Sequence, residues 1–554
     1  MTLEALFRRW SEGWRGPALA ALVALLAGLP GVFAMPPLDR DESRFAQATA
    51  QMLESGDFVV IRFQDAPRFK KPVGIHWMQA AVVSLVSRPE ARDIWAYRLP
   101  SLLGAMLAAA ACVWGARAFF GPGTSLAAGA ILGASLLLST EAFIAKTDAV
   151  LCGTVTLAMA GLARLYATRD QGGGRRGQLM LWLGLSLATL VKGPVGPMVV
   201  FLAMLVLAAW DRRVSWIKEI GWGWGLILLA AICGPWAGAV TVATDGAFWA
   251  TALAGDLAPK LMGGQETHGA PPGYHLLLAS LLFFPATLLL PAALVTAWTR
   301  RREPGVRFAI AWLVPSWLLF ELAPTKLVHY PLPLYGALAW LAAAALIQPL
   351  PAPARWAGVI LSSLIGAALA AGVFYLASTY GDPSDMTAAA LAASLFAAAG
   401  LVGAYLMARK GPQAGLAAAL ALGIAAHGAL AALFVPRLEP LWLSKRVEAA
   451  LGQARLLPSQ GVASAPVAVA GYAEPSLVFA LGTPTELGGA ADAADAISDG
   501  RPAVVEARDE ADFRRALAAQ AGRARLVAQI RGLDYSNGDS ETLRVYSAEE
   551  PPVP

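Results

Sequence analysis

The sequence predicts a polytopic α-helical membrane protein with a small soluble C-terminal α/β domain. Of its 554 residues, 57% are hydrophobic and only 15% are charged, whereas soluble proteins carry about a quarter charged residues. Apolar runs long enough to cross a bilayer recur through residues 1–434. From residue 435 onward, short apolar stretches alternate with Gly, Pro and Asp, a pattern that is typical of mixed strands and helices.

About thirteen spans account for the apolar runs, because one span needs about 20 apolar residues. They are 16–34, 96–118, 125–143, 149–167, 179–191, 195–210, 220–241, 273–298, 308–323, 332–348, 354–377, 386–408 and 414–434. The first run is too long for a signal peptide and lacks a small-residue cleavage site, so it is predicted to be the first span.

Basic residues predict the orientation of these spans, because short cytoplasmic loops carry an excess of Lys and Arg. With an odd number of spans and a cytoplasmic N-terminus, the strong basic clusters outside the first loop and the tail share the cytoplasmic side. These clusters contain Arg8, Arg9, Arg15, Arg169, Arg175, Arg176, Arg212, Arg213, Lys218, Arg300, Arg301, Arg302, Arg307, Arg409 and Lys410. The loop 35–95 and the tail 435–554 are then predicted to lie on the outer side.

Both outer segments contain recognisable local structure. In the loop, the apolar stretch Val73–Val86 begins with polar and aromatic residues and is predicted to be an interfacial helix. In the tail, Glu510–Ala521 has the pattern of an amphipathic helix. The predicted strands of the tail are Val467–Ala470, Leu477–Leu481, Ala503–Val505 and Thr542–Tyr546.

Composition and motifs exclude several function classes. The net charge of +5 is too small and too clearly loop-borne for nucleic-acid binding. The three cysteines, Cys112, Cys152 and Cys233, all lie in apolar runs, so neither a disulfide framework nor a CxxC metal site is predicted. The sequence contains neither a nucleophilic-serine motif nor a glycine-rich phosphate-binding motif.

The first outer loop opens with a dense set of charges, Asp39-Arg40-Asp41-Glu42-Ser43-Arg44. A carboxylate at this place could act as general base on an acceptor hydroxyl or hold a divalent cation. The alternative interpretation is a solvated, self-neutralising helix start with Asp39 as N-cap.

Lysines recur at the outer ends of the predicted spans. They are found in Lys70-Lys71, in Lys146-Thr147-Asp148, in Lys192-Gly193 and in the segment Lys326–Tyr330. Snorkelling explains any one such lysine, but four connections that bring lysines to one face indicate a basic pocket. Together with nearby carboxylates, such a pocket would suit a phosphate-linked lipid substrate.

Two further groups contain histidine. Glu266 and His268 in the third outer loop could be metal ligands, although such pairs are frequent in loops. His427 lies in the middle of a predicted span and is interpreted as a helix-packing residue.

The order of these motifs resembles the aminoarabinose-transferase-like branch of the GT-C glycosyltransferases, which is related to the protein O-mannosyltransferases. The motifs are Asp41–Phe45, Gly56–Phe58, Lys71-Pro72, Arg98–Ser101, Thr147–Ala149, Val191–Pro194, Glu266–Pro271, Lys326–Tyr330 and Glu474–Phe479. The resemblance implies a GT-C fold in a bacterial inner membrane, with the soluble domain in the periplasm. It implies inverting transfer of a sugar from polyprenyl phosphate to a lipid, glycan or protein acceptor.

The resemblance also implies roles for individual residues. Asp41 would be the main catalytic carboxylate, supported by Glu42, and Asp148 would be the second acid. The residues implied at the donor phosphate are Arg44, Lys70, Lys71, Lys192, Lys326 and Tyr330, and further pocket residues are Asp39, Glu266, His268 and His329. The sequence leaves open whether a divalent metal ion takes part.

One position departs from the family pattern. The aminoarabinose enzymes carry Glu-Lys-Pro where this chain has Lys70-Lys71-Pro72. The exchange removes a potential metal ligand and makes the site more basic, which would suit a more acidic sugar such as a uronic acid.

Three alternatives remain open from the sequence. A transporter or flippase of lipid-linked sugars would more naturally carry charges in the middle of spans and broken helices near the midplane. A scaffolding protein would tolerate the loss of Asp41 and Asp148. Within the enzyme class, a protein O-mannosyltransferase is the nearest competitor.

Overall fold

Helices dominate the computed structural model, which describes residues 10–171, 174–257, 270–460 and 466–549. We number the α-helices of six or more residues from the N-terminus. Before residue 435 they are α1 Arg15–Ala34, α2 Asp41–Ser55, α3 Gly74–Val86, α4 Ile94–Ala116, α5 Pro122–Gly133, α6 Leu136–Glu141, α7 Asp148–Ala167, α8 Arg175–Lys192, α9 Val195–Asp211, α10 Trp222–Ala243, α11 Tyr274–Leu282, α12 Leu290–Thr299, α13 Pro304–Leu322, α14 Tyr335–Ala344, α15 Ala352–Tyr380, α16 Met386–Lys410 and α17 Pro412–Ala429.

All of the predicted spans lie in helical segments, but fewer helices can cross a membrane individually. Eight helices among the described residues are long and apolar enough, or nine if the pair Tyr274–Leu282 and Ala286–Thr299, bent by 117°, is one span. The prediction of one continuous span over 125–143 was wrong, because Leu136 donates its backbone N–H to the Phe284 carbonyl at 2.8 Å and not to its own helix. This bond to the turn after α11 lies at the break between α5 and α6.

A close contact between α4 and α7 determines where the outer connections lie. A Cβ atom on Gly153 would be only 2.4 Å from the backbone oxygen of Gly104, so the two helices touch through their backbones. At the outer end of this contact, Ser101 donates to the carbonyl groups of Ile144 at 2.7 Å and Lys146 at 3.2 Å. The segment that precedes Asp148 is therefore held against the start of α4.

His427 packs between helices, as predicted. Its Nδ1 atom lies 3.0 Å from the Ala27 carbonyl of α1, and its Nε2 atom lies 3.1 Å from the Thr140 hydroxyl of α6. The ring also stacks on Phe143 at 5.6 Å between centroids. Both nitrogens are thus used in joining α17 to its neighbours.

The outer loop carries α2, α3 and a short hairpin of β1 Arg62–Phe63 and β2 Ala66–Pro67. The predicted helix Val73–Val86 is confirmed as Gly74–Val86, and His76 and Gln79 at its start are buried. Thr49 of α2 contacts both: its hydroxyl lies 2.8 Å from His76 Nδ1 and donates to Gln79 Oε1 at 2.7 Å. Gln79 in turn donates to the Ala145 carbonyl at 3.2 Å.

The C-terminal region is a small α/β fold. Its strands are β3 Ala468–Ala470, β4 Glu486–Gly488, β5 Ala503–Glu506, β6 Ala524–Asp534 and β7 Asp539–Ala548, and its helices are α18 Leu443–Gln453, α19 Pro475–Leu481, α20 Ala490–Ser498 and α21 Glu510–Ala519. The sheet order is β4-β3-β5-β7-β6; β3 is parallel to β4 and β5, and β7 is antiparallel to β5 and β6. Helices cover both faces of the sheet.

One predicted strand of this region was wrong. Leu477–Leu481 is part of helix α19, which begins with Pro475 at its first position. Proline is favoured there because its missing N–H would have no helical partner and its φ angle already fits a helix. Leu477, Val478 and Phe479 are all buried, and such a short, wholly apolar run has no period that separates strand from helix.

Candidate active site

Glu42 and Arg98 form a buried ion pair beneath the outer loop. Arg98 Nε lies 2.8 Å from Glu42 Oε1, and Arg98 Nη2 lies 2.8 Å from Oε2. The same carboxylate accepts the backbone N–H groups of Leu38 at 2.8 Å and Ala145 at 2.7 Å. Both side chains are fully buried. Four donors therefore engage the oxygens of Glu42, which was predicted to support Asp41 in catalysis.

Arg98 also closes the end of the first span. Its guanidinium donates to the carbonyl groups of Met35 at 2.6 Å, Val32 at 3.1 Å and Pro36 at 2.8 Å. These carbonyls lie at the end of α1, where helical partners are lacking. Arg98 and Glu42 thus join the end of α1, the start of α2 and the connection before α7.

Five side chains form what we call the charge cluster: Glu141, Lys146, Asp148, Lys192 and His329. Lys146 Nζ lies 3.0 Å from Glu141 Oε1 and 3.6 Å from Asp148 Oδ2. Lys192 donates to Asp148 Oδ1, and His329 Nε2 lies 3.6 Å from Asp148 Oδ2. The motifs that contain Lys146, Lys192 and His329 are far apart in the sequence but meet around one carboxylate.

Hydrogen bonding determines the proton position on His329. Lys146 Nζ lies 3.3 Å from His329 Nδ1. An ammonium group can only donate, so Nδ1 accepts and the ring proton is on Nε2, which faces Asp148. The Nε2–H group of the neutral ring thus faces the Asp148 carboxylate at 3.6 Å, beyond hydrogen-bond distance.

Asp41 and Lys71 lie at the rim of the charge cluster. Asp41 is exposed at the first position of α2, and its carboxylate interacts electrostatically with Lys146. Lys71 is partly exposed and interacts electrostatically with His329. The Tyr330 ring centroid is 5.7 Å from Lys192 Nζ, a cation–π contact that lines the same site. Lys70 is exposed beside Lys71.

Several predicted site residues make their contacts outside the charge cluster. Lys326 donates to the carbonyl groups of Ala270 at 2.7 Å and Ala323 at 2.8 Å, so its ammonium holds two chain segments together. Arg44 is partly buried and its charge acts on Glu474 of the C-terminal region. Glu266 and His268 lie outside the described residues.

Asp39 contacts the C-terminal region. Its carboxylate accepts a hydrogen bond from Ser476, and its backbone N–H donates to the Tyr535 hydroxyl at 2.7 Å. Burial raises the pKa of Asp39 to about 6, and the neighbouring Asp534 adds to this effect. Burial together with Asp534 and Asp39 raises the pKa of Glu474 to about 7. Asp39, which was predicted as a pocket residue, is therefore part of an acidic contact between the loop 35–95 and the C-terminal region.

This contact should make thermal stability depend on pH. Raised pKa values mean that the folded state binds more protons than the unfolded state between about pH 4 and pH 7, so stability should fall as the pH rises through this range. One pKa unit corresponds to about 1.4 kcal/mol, so each group contributes at most roughly 3 kcal/mol. The measurement is the unfolding temperature of the solubilised protein at pH 5, 6, 7 and 8. Asp39→Asn combined with Glu474→Gln should flatten the profile; an unchanged profile would contradict the assignment.

The sequence interpretation missed two residues of the site, Glu141 and Arg98. Glu141 lies at the end of the predicted span 125–143, and an ionisable residue in a span is by itself a functional signal. Its Oε2 atom is buried without a hydrogen-bond partner among the described residues. Arg98 belonged to a motif of the resemblance, but nothing local indicated that it pairs with Glu42.

The described part of the chain contains no group of three or more His, Cys, Asp or Glu side chains placed to hold a metal ion. The Asp148 carboxylate is instead occupied by Lys146 and Lys192. These residues do not fit a metal site, and the mechanism below uses none.

Comparison with known proteins supports the fold. The family described as dolichyl-phosphate-mannose-protein mannosyltransferase matches residues 70–237. The undecaprenyl phosphate-alpha-4-amino-4-deoxy-L-arabinose arabinosyl transferase of Pseudomonas paraeruginosa PA7 is 30% identical over 332 residues, which is 58% of this chain and 58% of that protein. The enzyme of the same name from Pseudomonas aeruginosa UCBPP-PA14 is 31% identical over 333 residues, again 58% of both chains. The matched part thus spans somewhat more than half the length of these relatives.

Solved structures extend the likeness to nearly the whole chain. ArnT from Cupriavidus metallidurans bound to undecaprenyl phosphate has a TM-score of 0.75 at 19% identity, covering 95% of this chain and 97% of that one. The oligosaccharyltransferase AglB from Archaeoglobus fulgidus has a TM-score of 0.50 at 12% identity, covering 91% of this chain and 70% of that one. The predicted GT-C fold with a small C-terminal α/β region is confirmed, and so is the resemblance to the aminoarabinose transferases.

Proposed function

We propose that this protein is an inverting glycosyltransferase that moves a sugar from a polyprenyl-phosphate donor to a lipid, glycan or protein acceptor. The charge cluster beside Asp41 and Lys71 carries this proposal. Fixed ammonium groups suit a phosphate leaving group, and a neighbouring exposed carboxylate suits an acceptor hydroxyl. The similarity to transferases that are named for undecaprenyl phosphate supports polyprenyl phosphate as the carrier.

The transfer is a single displacement at the anomeric carbon. The acceptor oxygen forms a bond to that carbon while the bond to the phosphate oxygen breaks. The acceptor proton passes to Asp41, and the electron pair leaves with polyprenyl phosphate. One displacement inverts the anomeric centre.

The other residues of the site act on charge and position. Lys71 and Lys192 stabilise the negative charge that develops on the departing phosphate. Asp148 holds Lys192, and Glu141 holds Lys146, so that the ammonium groups stay in place without substrate. Glu42 positions the start of α2 through Arg98.

The chain is a multi-pass inner-membrane protein. We further propose that the N-terminus is cytoplasmic and that the site and the region 435–554 lie on the periplasmic side, with 1–434 as the catalytic domain. The positions of charges support this: Asp148 begins α7, whereas Arg169, beyond its other end, pairs with Asp211 at 3.7 Å. Basic residues at that end match the cytoplasmic excess of Arg and Lys.

The test is mass analysis of envelope lipids, glycans and proteins from cells that lack the gene, complemented with wild type or Asp41→Asn. We expect one glycosylated species to disappear and to return only with wild type. Its mass identifies the sugar, and the fraction that contains it identifies the acceptor. A protein-bound sugar would favour protein O-mannosyl-type transfer, which the family match over residues 70–237 keeps as second candidate. Full restoration by Asp41→Asn would favour a transporter, a scaffold or a transferase whose acceptor is a phosphate that needs no base.

The exposed Lys70 should influence which sugar is accepted. An ammonium beside Lys71 favours an acidic sugar, so Lys70→Glu should shift preference toward neutral or cationic sugars by about tenfold, the size of one modest charge interaction. The measurement is competition between a uronic-acid donor and an amino-sugar donor. Lys70→Gln, which removes the charge without reversing it, should give an intermediate ratio of uronic-acid transfer to amino-sugar transfer. Equal ratios in wild type and both variants would contradict this prediction.

A further inference from the structure

The C-terminal α/β region touches the turn that presents Asp41. Tyr535, at the end of the hairpin strand β6, accepts the backbone N–H of Asp39 at 2.7 Å. Ser476 of α19 donates to the Asp39 carboxylate, and its hydroxyl is oriented by Ser444 of α18 at 2.6 Å. Two residues from separate elements thus hold one residue, two positions before Asp41.

Arg40, which lies between Asp39 and Asp41, has an unusual backbone conformation. Arg40 has φ 59°, in the left-handed region that side chains other than glycine disfavour. Its guanidinium lies 3.5 Å from Glu474, which precedes α19. The contacts of Asp39 and Arg40 with the C-terminal region therefore support a conformation that the turn would not adopt readily by itself.

The C-terminal region has a second attachment, away from Asp41. Thr483 donates to Glu54 at 2.6 Å and accepts from Gln47 at 2.8 Å, both of α2. Phe479 packs edge-on against Tyr97 of α4 at 5.4 Å between ring centroids. Loss of the contacts at Asp39 should therefore leave the region docked.

We propose that the C-terminal α/β region is a positioning element of the active site, in which Ser476 and Tyr535 hold the turn that directs Asp41 toward the charge cluster. The inference rests on the proposed function. Asp41 is the first residue of α2, whereas Lys146, on which its charge acts, lies on a different segment. The direction of its carboxylate consequently depends on the turn before the helix.

Such a role has a kinetic signature. A misplaced base slows the chemical step, because about 1 Å of displacement can reduce a rate by two orders of magnitude. Donor binding is assigned to Lys71 and Lys192, which lie on other segments of the chain. The turnover number should therefore change while the KM for the donor does not.

The test compares two double variants of the full chain in detergent or nanodiscs. Ser476→Ala/Tyr535→Phe removes both contacts with Asp39. Ser498→Ala/Tyr546→Phe removes matched hydroxyls of the same region, which bond only to Gln520, Glu510 and Arg514 among the described contacts. The readouts are kcat, the KM for the donor, and amide hydrogen exchange of the peptide that contains Asp39.

We expect kcat to fall about tenfold in the first variant, with the KM within twofold and faster exchange of the turn, while the control resembles wild type. Unchanged kcat and unchanged exchange, or equal changes in the control, would overturn the inference. Faster exchange without any loss of kcat would refute the catalytic consequence. If wild type shows no transfer at all, the proposed function fails, whereas the exchange result still decides whether these hydroxyls hold the turn.

Discussion

Asp41→Asn should reduce sugar transfer to a hydroxyl acceptor about 10³-fold while the protein stays folded, since a positioned base contributes roughly 10²–10⁴-fold. Asparagine keeps the shape and the hydrogen-bonding capacity of the side chain but cannot take the acceptor proton. Asp41 is exposed at the start of α2, so its replacement breaks no buried pair. The measurement is kcat/KM with the acceptor identified by mass analysis.

The matched control for this variant is Asp65→Asn, an exposed carboxylate in the same outer loop. It should retain wild-type turnover and the same unfolding temperature. Wild-type turnover of Asp41→Asn with a hydroxyl acceptor would show that Asp41 is not the base. An acceptor whose nucleophile is a phosphate needs no base, and there the loss should be less than tenfold.

Lys192→Ala should reduce kcat about 10²-fold, in the range found when one fixed donor to a developing negative charge is removed. The donor phosphate is a diester with one negative charge. The product polyprenyl phosphate is a monoester, which carries about 1.5–2 negative charges. Lys192 therefore stabilises the transition state and product more than the bound donor. We expect the inhibition constant of polyprenyl phosphate to rise about tenfold and the KM of the donor by less than threefold.

The site should tolerate this loss structurally, because Asp148 keeps Lys146 at 3.6 Å and His329 at 3.6 Å. Lys410→Ala, an exposed lysine at the end of α16, is the control for a lost surface charge and should behave as wild type. A parallel rise in KM and inhibition constant with unchanged kcat would mean that Lys192 only binds the phosphate and does not stabilise its departure.

The helical part of the fold could be predicted from sequence because a bilayer imposes a simple rule. Backbone N–H and C=O groups in the hydrocarbon core must form hydrogen bonds with each other, so each long apolar run forms a helix. The rule failed at 125–143, where the Leu136 N–H bonds to the Phe284 carbonyl, in the turn that follows another helix. It also did not apply to Leu477–Leu481, which folds outside the membrane and whose structure depends on packing.

The candidate site was predicted in part for a similar reason. Lysines and carboxylates at the ends of spans must collect near one membrane face, so the convergence of Lys146, Asp148, Lys192 and His329 follows from topology. The place of Lys326 could not be predicted. Nothing in its neighbourhood indicates that its ammonium turns to the Ala270 carbonyl, 56 residues earlier in the chain.

The sequence by itself therefore determined the membrane class, the succession of helices and the kind of chemistry available at one face. Only the tertiary structure decided which of the adjacent acids stays exposed. Asp41 and Glu42 are equivalent in local sequence, but Arg98, 56 residues later in the chain, buries and neutralises Glu42 and leaves Asp41 exposed. Long-range pairing made this choice, because a buried carboxylate requires a partner, and no local pattern specifies where that partner lies.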